Sequence, residues 1–360
     1  MPAKKAMLDL SELYEKFITA SRLGRRLQPN GKRISPGTIE NYRFTLRLLQ
    51  QFSTTKGFDL RIRLLRKLTA AELTVERKYW KKFYQQFSAW LYDECGYYDN
   101  YVGANFKNIR IFFNYLNKDL ALGVGDFHKL FYVRREEIPI FPLLPEELNY
   151  LICDEDFTNR LKPRMKEVKD FFVFGCTVAL RFSDLAALKR SNVRIVNGEY
   201  YLAVKSKKTN RDSLVKLPTY AKAIIEKYSR RRNSILPPFN KVNLNKYIKI
   251  LLREAGFCHE VYITRNKRGI PVEQKGKAGK IAIPFCDIAS THTMRRTAIT
   301  TMLTLGVPEQ IVRKISGHSP AGKDFYRYVS WAQAYQDNTT ENMFEKLKNM
   351  RVVKEASVMS

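Results

Sequence analysis

His292-Thr-Met-Arg295-Arg296-Thr297 opens a stretch that continues through an apolar, helix-like run to Ser316-Gly317-His318 and closes on Phe325-Tyr326-Arg327-Tyr328-Val329. Two imidazoles, a guanidinium and a phenol fall within one short span of a chain whose formal charge is +29. His292 and Arg295 are one helical turn apart, so both side chains can reach one point. These residue types suit a phosphodiester that is to be held and attacked. The remaining partners must come from elsewhere in the chain.

The bulk of the sequence agrees with an anionic partner. Lys and Arg number 64 against 35 Asp and Glu, and the pI is near 9.9. That excess goes far beyond what solubility asks and favours nucleic acid. A membrane partner is disfavoured because no apolar run approaches the roughly 20 residues of a spanning helix. Met1-Pro-Ala-Lys-Lys-Ala6 has no long apolar segment behind it to make a signal peptide. The expectation is a cytoplasmic, nucleoid-associated protein. At 360 residues and 44% hydrophobic content the chain fits two domains. Its five cysteines, Cys95, Cys153, Cys176, Cys258 and Cys286, are odd in number with no close pair. They support neither a disulfide framework nor a zinc knuckle and read as reduced, mostly buried thiols.

Upstream of the opening stretch, an apolar run rich in Phe breaks at Thr177-Val-Ala-Leu-Arg181-Phe-Ser-Asp184-Leu-Ala-Ala-Leu188. An arginine at that break is partly buried and needs an anion, and Asp184 can buttress it. Asn197-Gly198 between two β-branched runs signals a hairpin, and a further strand follows at 213–217. Lys205, Lys207 and Lys208 fall at a hairpin tip. Segment 261–280 carries six basic residues against Glu273 and reads as an irregular or β-hairpin insertion, mobile without DNA. Toward the N-terminus, amphipathic helices are expected over 9–23, from Ser35-Pro36, over about 76–94, and from about Asn100. Between about 125 and 145 the apolar periodicity stops, which marks an extended linker.

Taken together, the box around Arg181, a hairpin lysine, His292-x-x-Arg295, Gly317-His318 and a later tyrosine resemble, in that order and at those separations, the tyrosine recombinase (phage integrase) family of mobile elements. The motifs cover about residues 145–330. The resemblance implies that Arg181 and Arg295 clamp the non-bridging oxygens of a scissile phosphate, which the physics of charge-assisted hydrogen bonds supports. His292 would move a proton to or from the nucleophile, His318 would hydrogen-bond a non-bridging oxygen, and Lys208 would be the general acid for the 5′-oxygen, ahead of Lys207 and Lys205. Asp184 would support the site. The candidate nucleophiles, Tyr326 and Tyr328, lie eight and ten residues after His318, one residue either side of the family spacing. Phe325-x-x-Tyr328-Val329 is similar to the ending of some mobile-element integrases, and Tyr328 is preferred. No cofactor and no metal are implied.

The expected fold is mainly α with a small antiparallel β-sheet. A helical-bundle, SAM-like core-binding domain (1–125) and a linker (126–143) would precede an α+β catalytic domain (144–336) and a C-terminal helix from near Asp337 to 360. Met343, Phe344, Leu347 and Met350 line one face of that helix, which would dock in cis or on a neighbouring protomer. With few residues before the first helix, no additional arm-binding domain is expected. The expected partners are double-stranded DNA and further copies of the chain, as dimer or tetramer. The expected activity is site-specific recombination; the alternatives are type IB topoisomerase-like cleavage and rejoining, or DNA binding without catalysis.

Overall fold

Side chains that accept backbone amides fix where the first helices start. Asp9, Ser35 and Thr69 cap α1 (Leu10–Arg22), α2 (Pro36–Lys56) and α3 (Ala70–Ala89). Thr69 and Glu72 form a capping box, which explains why α3 starts earlier than the apolar spacing alone suggests. A single π-helical turn, Trp90–Glu94, follows α3, and the chain reverses at Gly96 into α4 (Asp99–Lys118). Strands β1 (Met7–Asp9) and β2 (Arg61–Arg63) pair antiparallel beside these helices. Phe17, Phe52, Phe83, Phe87, Phe112 and Phe113 are wholly buried between them.

The computed structural model describes residues 7–66, 68–205, 212–230, 234–276, 279–320 and 322–358. The chain divides into two compact units: Met1–Ile138 with Thr264–Gln274, and Pro139–Ile263 with Lys275–Ser360. The first division falls within the segment expected as a linker. Its residues are nonetheless held down locally: Phe131 is buried in the first unit, and Ile140 and Leu143 in the second.

The second unit begins with α5 (Pro145–Cys153), α6 (Glu155–Arg160), α7 (Pro163–Val178) and the short α8 (Phe182–Leu185). A three-stranded antiparallel sheet follows in the order β3 (Val193–Val196), β4 (Glu199–Lys205), β5 (Asp212–Lys216). Asn197 and Gly198, both at positive φ, make the β3–β4 turn. Next come α9 (Thr219–Lys227) and α10 (Lys241–Glu254). The chain then leaves on β6 (Glu260–Tyr262), makes a hairpin of β7 (Thr264–Lys267) and β8 (Ile270–Glu273), and returns on β9 (Ala282–Pro284), which pairs with β6. The hairpin is part of the first unit. Asp99 accepts the amides of Arg268 and Gly269, both at 2.8 Å, while the Arg265 guanidinium binds the Glu136 carboxylate. Arg268 also pairs with Asp93.

The last helices are α11 (Phe285–Ile288), α12 (Thr291–Thr304), α13 (Glu309–Ser316) and α14 (Tyr326–Val358). The expectation of a separate final helix from Asp337 is corrected here. No Gly or Pro interrupts residues 326–358, so one helix runs through from Tyr326. Helix α7 packs closely on α12 because Gly175 has no side chain: a Cβ there would lie 2.5 Å from Met294 Sδ. The cysteine expectation is also corrected, since only Cys176 and Cys286 are buried, Cys153 is exposed, and the fold brings Cys258 against Cys286. Among the described residues no helix is long and apolar enough to cross a membrane.

Candidate active site

Helix α12 starts where Ser290 accepts the amide of His292, which puts His292 in the first turn and Arg295 one turn further, facing inward. Arg295 is only 2% exposed. Its Nη1 donates to the Ala179 carbonyl at 2.7 Å. Ala179 ends α7 in the left-handed conformation at φ 56°, which costs a non-glycine residue about 1 kcal/mol. That turn redirects the chain so that Arg181 takes the N-cap position of α8, and it and the buried Asp184 both come within electrostatic reach of Arg295. Burial and then the neighbouring Arg181 pull the Arg295 guanidinium down to about 10, while Tyr328 and Asp184 act in the opposite sense.

His318 follows Gly317, whose left-handed backbone at φ 64° closes α13 and turns the next residue back toward α12. Arg295 Nη2 lies 3.3 Å from each ring nitrogen of His318, and Ser316 Oγ lies 2.7 Å from Nδ1. The Ser316 hydroxyl donates to the Val312 carbonyl at 2.6 Å. It therefore accepts from His318 Nδ1–H, which assigns the lone pair to Nε2 on the Arg295 side. Burial, followed by the charges of Arg295, Arg181, Arg313 and Arg327, pushes His318 down to about 3. His292 opens to solvent, yet the protein around it and then Arg296, Arg295, Arg327 and Arg181 hold it at about 4. Both imidazoles are therefore neutral near pH 7 in the DNA-free chain.

The two tyrosines part company sharply. Tyr328, on the first turn of α14, is 1% exposed and packs with Phe325, Val312, Ala298 and Ile299. Its ring centroid is 5.8 Å from that of His318, and the Arg327 guanidinium lies 5.3 Å from it. Tyr326 is 58% exposed, with the Arg313 guanidinium 5.2 Å from its ring. The fold thus brings Arg181, Asp184, His292, Arg295, His318 and Tyr328 together and leaves Tyr326 outside the cluster. Lys207 and Lys208 lie outside the described residues. Lys205 is the exposed last residue of β4. Asp212, the first residue of β5, lines a cavity of about 630 Å³ together with Arg313, Lys314 and His318, so the start of β5 stands beside the cluster.

Three further arginines belong to the cluster and were not singled out by sequence reasoning. Arg296 and Arg327 act on both His292 and Tyr328 or its neighbours, and Arg313 on His318. The Nε atoms of Arg296 and Arg327 are buried and, among the described residues, have no hydrogen-bond partner. For two of them the signal was present, since Arg296 directly follows Arg295 and Arg327 directly precedes Tyr328, whereas Arg313 stands five residues before His318. Such a concentration of buried and half-buried guanidiniums is a ready site for a multiply charged anion. Among the described residues, no group of three or more His, Cys, Asp or Glu side chains is arranged to hold a metal ion.

Residues 152–330 match the model of the phage integrase family. In fold, the chain is similar to a lambda integrase dimer bound to a COC′ core site, at 13% identity over 90% of this chain and 78% of that one, TM-score 0.59. It is similar to the XerH site-specific recombinase in a post-cleavage complex with palindromic difH substrate, at 13% identity over 92% and 84%, TM-score 0.55. It also resembles the Tn1549 transposon integrase (residues 82–397) in complex with circular-intermediate DNA, at 15% identity over 92% and 100%, TM-score 0.54. No curated protein matches the chain.

Proposed function

The chain belongs to the phage integrase family through residues 152–330, and from that premise we propose that it is a site-specific DNA recombinase working through a covalent 3′-phosphotyrosine. The observation that carries this reading is the convergence of Arg181, Arg295, Arg296 and Arg327 on His292, His318 and Tyr328. Nothing in that cluster suits a cationic or neutral substrate. A phosphodiester under attack gains negative charge on its non-bridging oxygens, and preset guanidiniums stabilise that charge without reorganising.

In the proposed reaction, Tyr328 Oη forms a bond to the scissile phosphorus while the bond to the 5′-oxygen breaks. Neutral His292 takes the phenolic proton, and Lys208 gives a proton to the departing 5′-oxygen, with Lys207 and Lys205 as the less favoured donors. Arg181 and Arg295 hold the non-bridging oxygens. When the phosphate binds, its charge raises the His318 pKa, and the protonated ring then donates from Nε2 to the same phosphate. The 5′-hydroxyl of a partner strand reverses these steps, so the phosphotyrosine keeps the bond energy and no nucleotide cofactor is needed. The guanidiniums and lysine supply the charge that a metal would otherwise bring. Exchange of one strand at a time leads through a Holliday junction, which requires two DNA duplexes and therefore several copies of the chain. Met343, Phe344 and Leu347 are 49, 60 and 50% exposed along α14. That apolar stripe favours docking in trans, on a neighbouring protomer, over packing in cis.

The test is a denaturing-gel assay for covalent protein–DNA adduct on a nicked suicide substrate. Wild type and Tyr326→Phe should trap adduct, and Tyr328→Phe should trap none. Adduct from Tyr328→Phe but not from Tyr326→Phe would move the nucleophile, and a wild type without adduct on its own site would leave a DNA-binding protein.

A further inference from the structure

Cys258 and Cys286 stand far apart in sequence and meet at the foot of the excursion that carries β6 to β9. Strands β6 and β9 pair with Glu260 opposite Pro284 and Val261 opposite Ile283. The register continues below the strands: the Phe285 amide donates to the His259 carbonyl at 2.9 Å, and the rings of His259 and Phe285 stack 4.9 Å apart. One step further, Cys258 faces Cys286. Their sulfurs are 2.6 Å apart, well inside the separation that two unbonded sulfurs keep and nearer to the ~2.0 Å of an S–S bond. Antiparallel arms in register bring directly opposed Cβ atoms within the span a disulfide needs.

We propose that Cys258 and Cys286 form an exchangeable disulfide that staples the foot of the 259–285 excursion. The oxidant is a low-molecular-weight disulfide, RSSR. Cys258, the more accessible of the two, attacks one sulfur as its thiolate; the RS–SR bond breaks, and the departing RS⁻ takes up a proton. Cys286, giving its proton to solvent, then displaces the second RS⁻ from Cys258 and closes the protein S–S bond. Two protein thiols are oxidised and one RSSR is reduced to two RSH. Burial, and then the adjoining Cys258, hold the Cys286 thiol up at about 11, which suits a resolving thiol that reacts only once a mixed disulfide is beside it. The Arg253 guanidinium, paired with Asp287 at 2.6 Å, favours the thiolate when it forms. The closed bond restricts the unfolded chain across the whole excursion, so oxidation stabilises. It also fixes the chain just before Ser290, the residue that starts the helix of His292 and Arg295.

The full chain, reduced and freed of reductant, is incubated with oxidised glutathione; thiols are counted after denaturation, and a non-reducing digest is read by mass spectrometry. The expected result is a loss of two thiols without added glutathione mass, a cross-linked peptide pair containing Cys258 and Cys286, reversal by dithiothreitol, and a higher thermal midpoint than the reduced chain. Cys153→Ser should behave as wild type, and Cys258→Ser and Cys286→Ser should each form no cross-link. If Cys286→Ser does not fold, Cys258→Ser at the half-buried position decides alone. Glutathione added singly without cross-link, a cross-link through another cysteine, unchanged thiols, or a midpoint that does not rise would each overturn the staple.

Discussion

Arg295 leans on the Ala179 carbonyl and His318, so its guanidinium is aimed before any DNA arrives. A lysine at that position keeps the charge and loses the planar fork. Arg295→Lys should therefore lower strand cleavage by about 10²-fold or more while circular dichroism stays native; cleavage at the wild-type rate would remove it from the clamp. The histidines give a second prediction. Both sit below the ordinary imidazole value, at about 4 for His292 and about 3 for His318. The unfolded chain therefore binds protons first: their stabilising contribution is complete above about pH 6.5 and is lost as pH falls through those folded values. An NMR titration of the DNA-free chain should find both rings neutral at about pH 5, and His318→Gln should flatten the acid loss of stability. A ring charged at that pH would contradict the arginine-crowded site. At this scale the structure gathers most of the side chains named from the sequence into one cluster. The resemblance preferred Tyr328 to Tyr326, but two residues on one helix turn differ by which face meets the core, and spacing along the chain does not say which face that is.

Helix α12 carries the site only because α7 lets it come close. Gly175→Ala would press a methyl group against Met294 and Leu185, and overpacking of this kind costs about 1–3 kcal/mol. The variant should show a lower thermal midpoint and reduced adduct formation together; an unchanged midpoint would mean that the helices yield. In the first unit, Asp99 is 1% exposed and accepts two hairpin amides and the Tyr92 hydroxyl. Asp99→Ala strands those donors, and the expected loss is about 2–4 kcal/mol of stability in denaturant titration. Helices with strong caps, such as α2 behind Ser35-Pro36, were legible in the sequence almost to the residue. The basic segment 261–280 was legible as a possible hairpin, which β7 and β8 form, but not in what holds it. Its hairpin is fixed by carboxylates at residues 99 and 136, and no local pattern announces a partner so distant in the chain.

For the whole molecule, the formal charge of +29 predicts binding dominated by phosphate contacts. The logarithm of affinity for duplex DNA should fall with the logarithm of salt at a slope of about 5 or steeper, each neutralised phosphate contributing roughly 0.9; a shallow slope would count against an extended electrostatic interface. Removing residues 337–360 cuts α14 partway and takes the exposed stripe of Met343, Phe344 and Leu347 with it. That truncation should impair tetramer assembly on DNA more than binding of a single site, and undiminished assembly would favour packing in cis. By itself the sequence determined the helical character, the basic charge that calls for an anionic partner, the order of the site's chemical groups and the family they resemble. These rest on residue types, local periodicity and short-range capping, all of which act within a few residues. Only the tertiary structure decided that Tyr328 is the buried phenol, that Arg296 and Arg327 join the cluster, that 264–274 belongs to the first unit, and that Cys258 faces Cys286. Each of those depends on which distant surfaces bury each other, and burial is a property of the packed chain that no stretch of it carries alone.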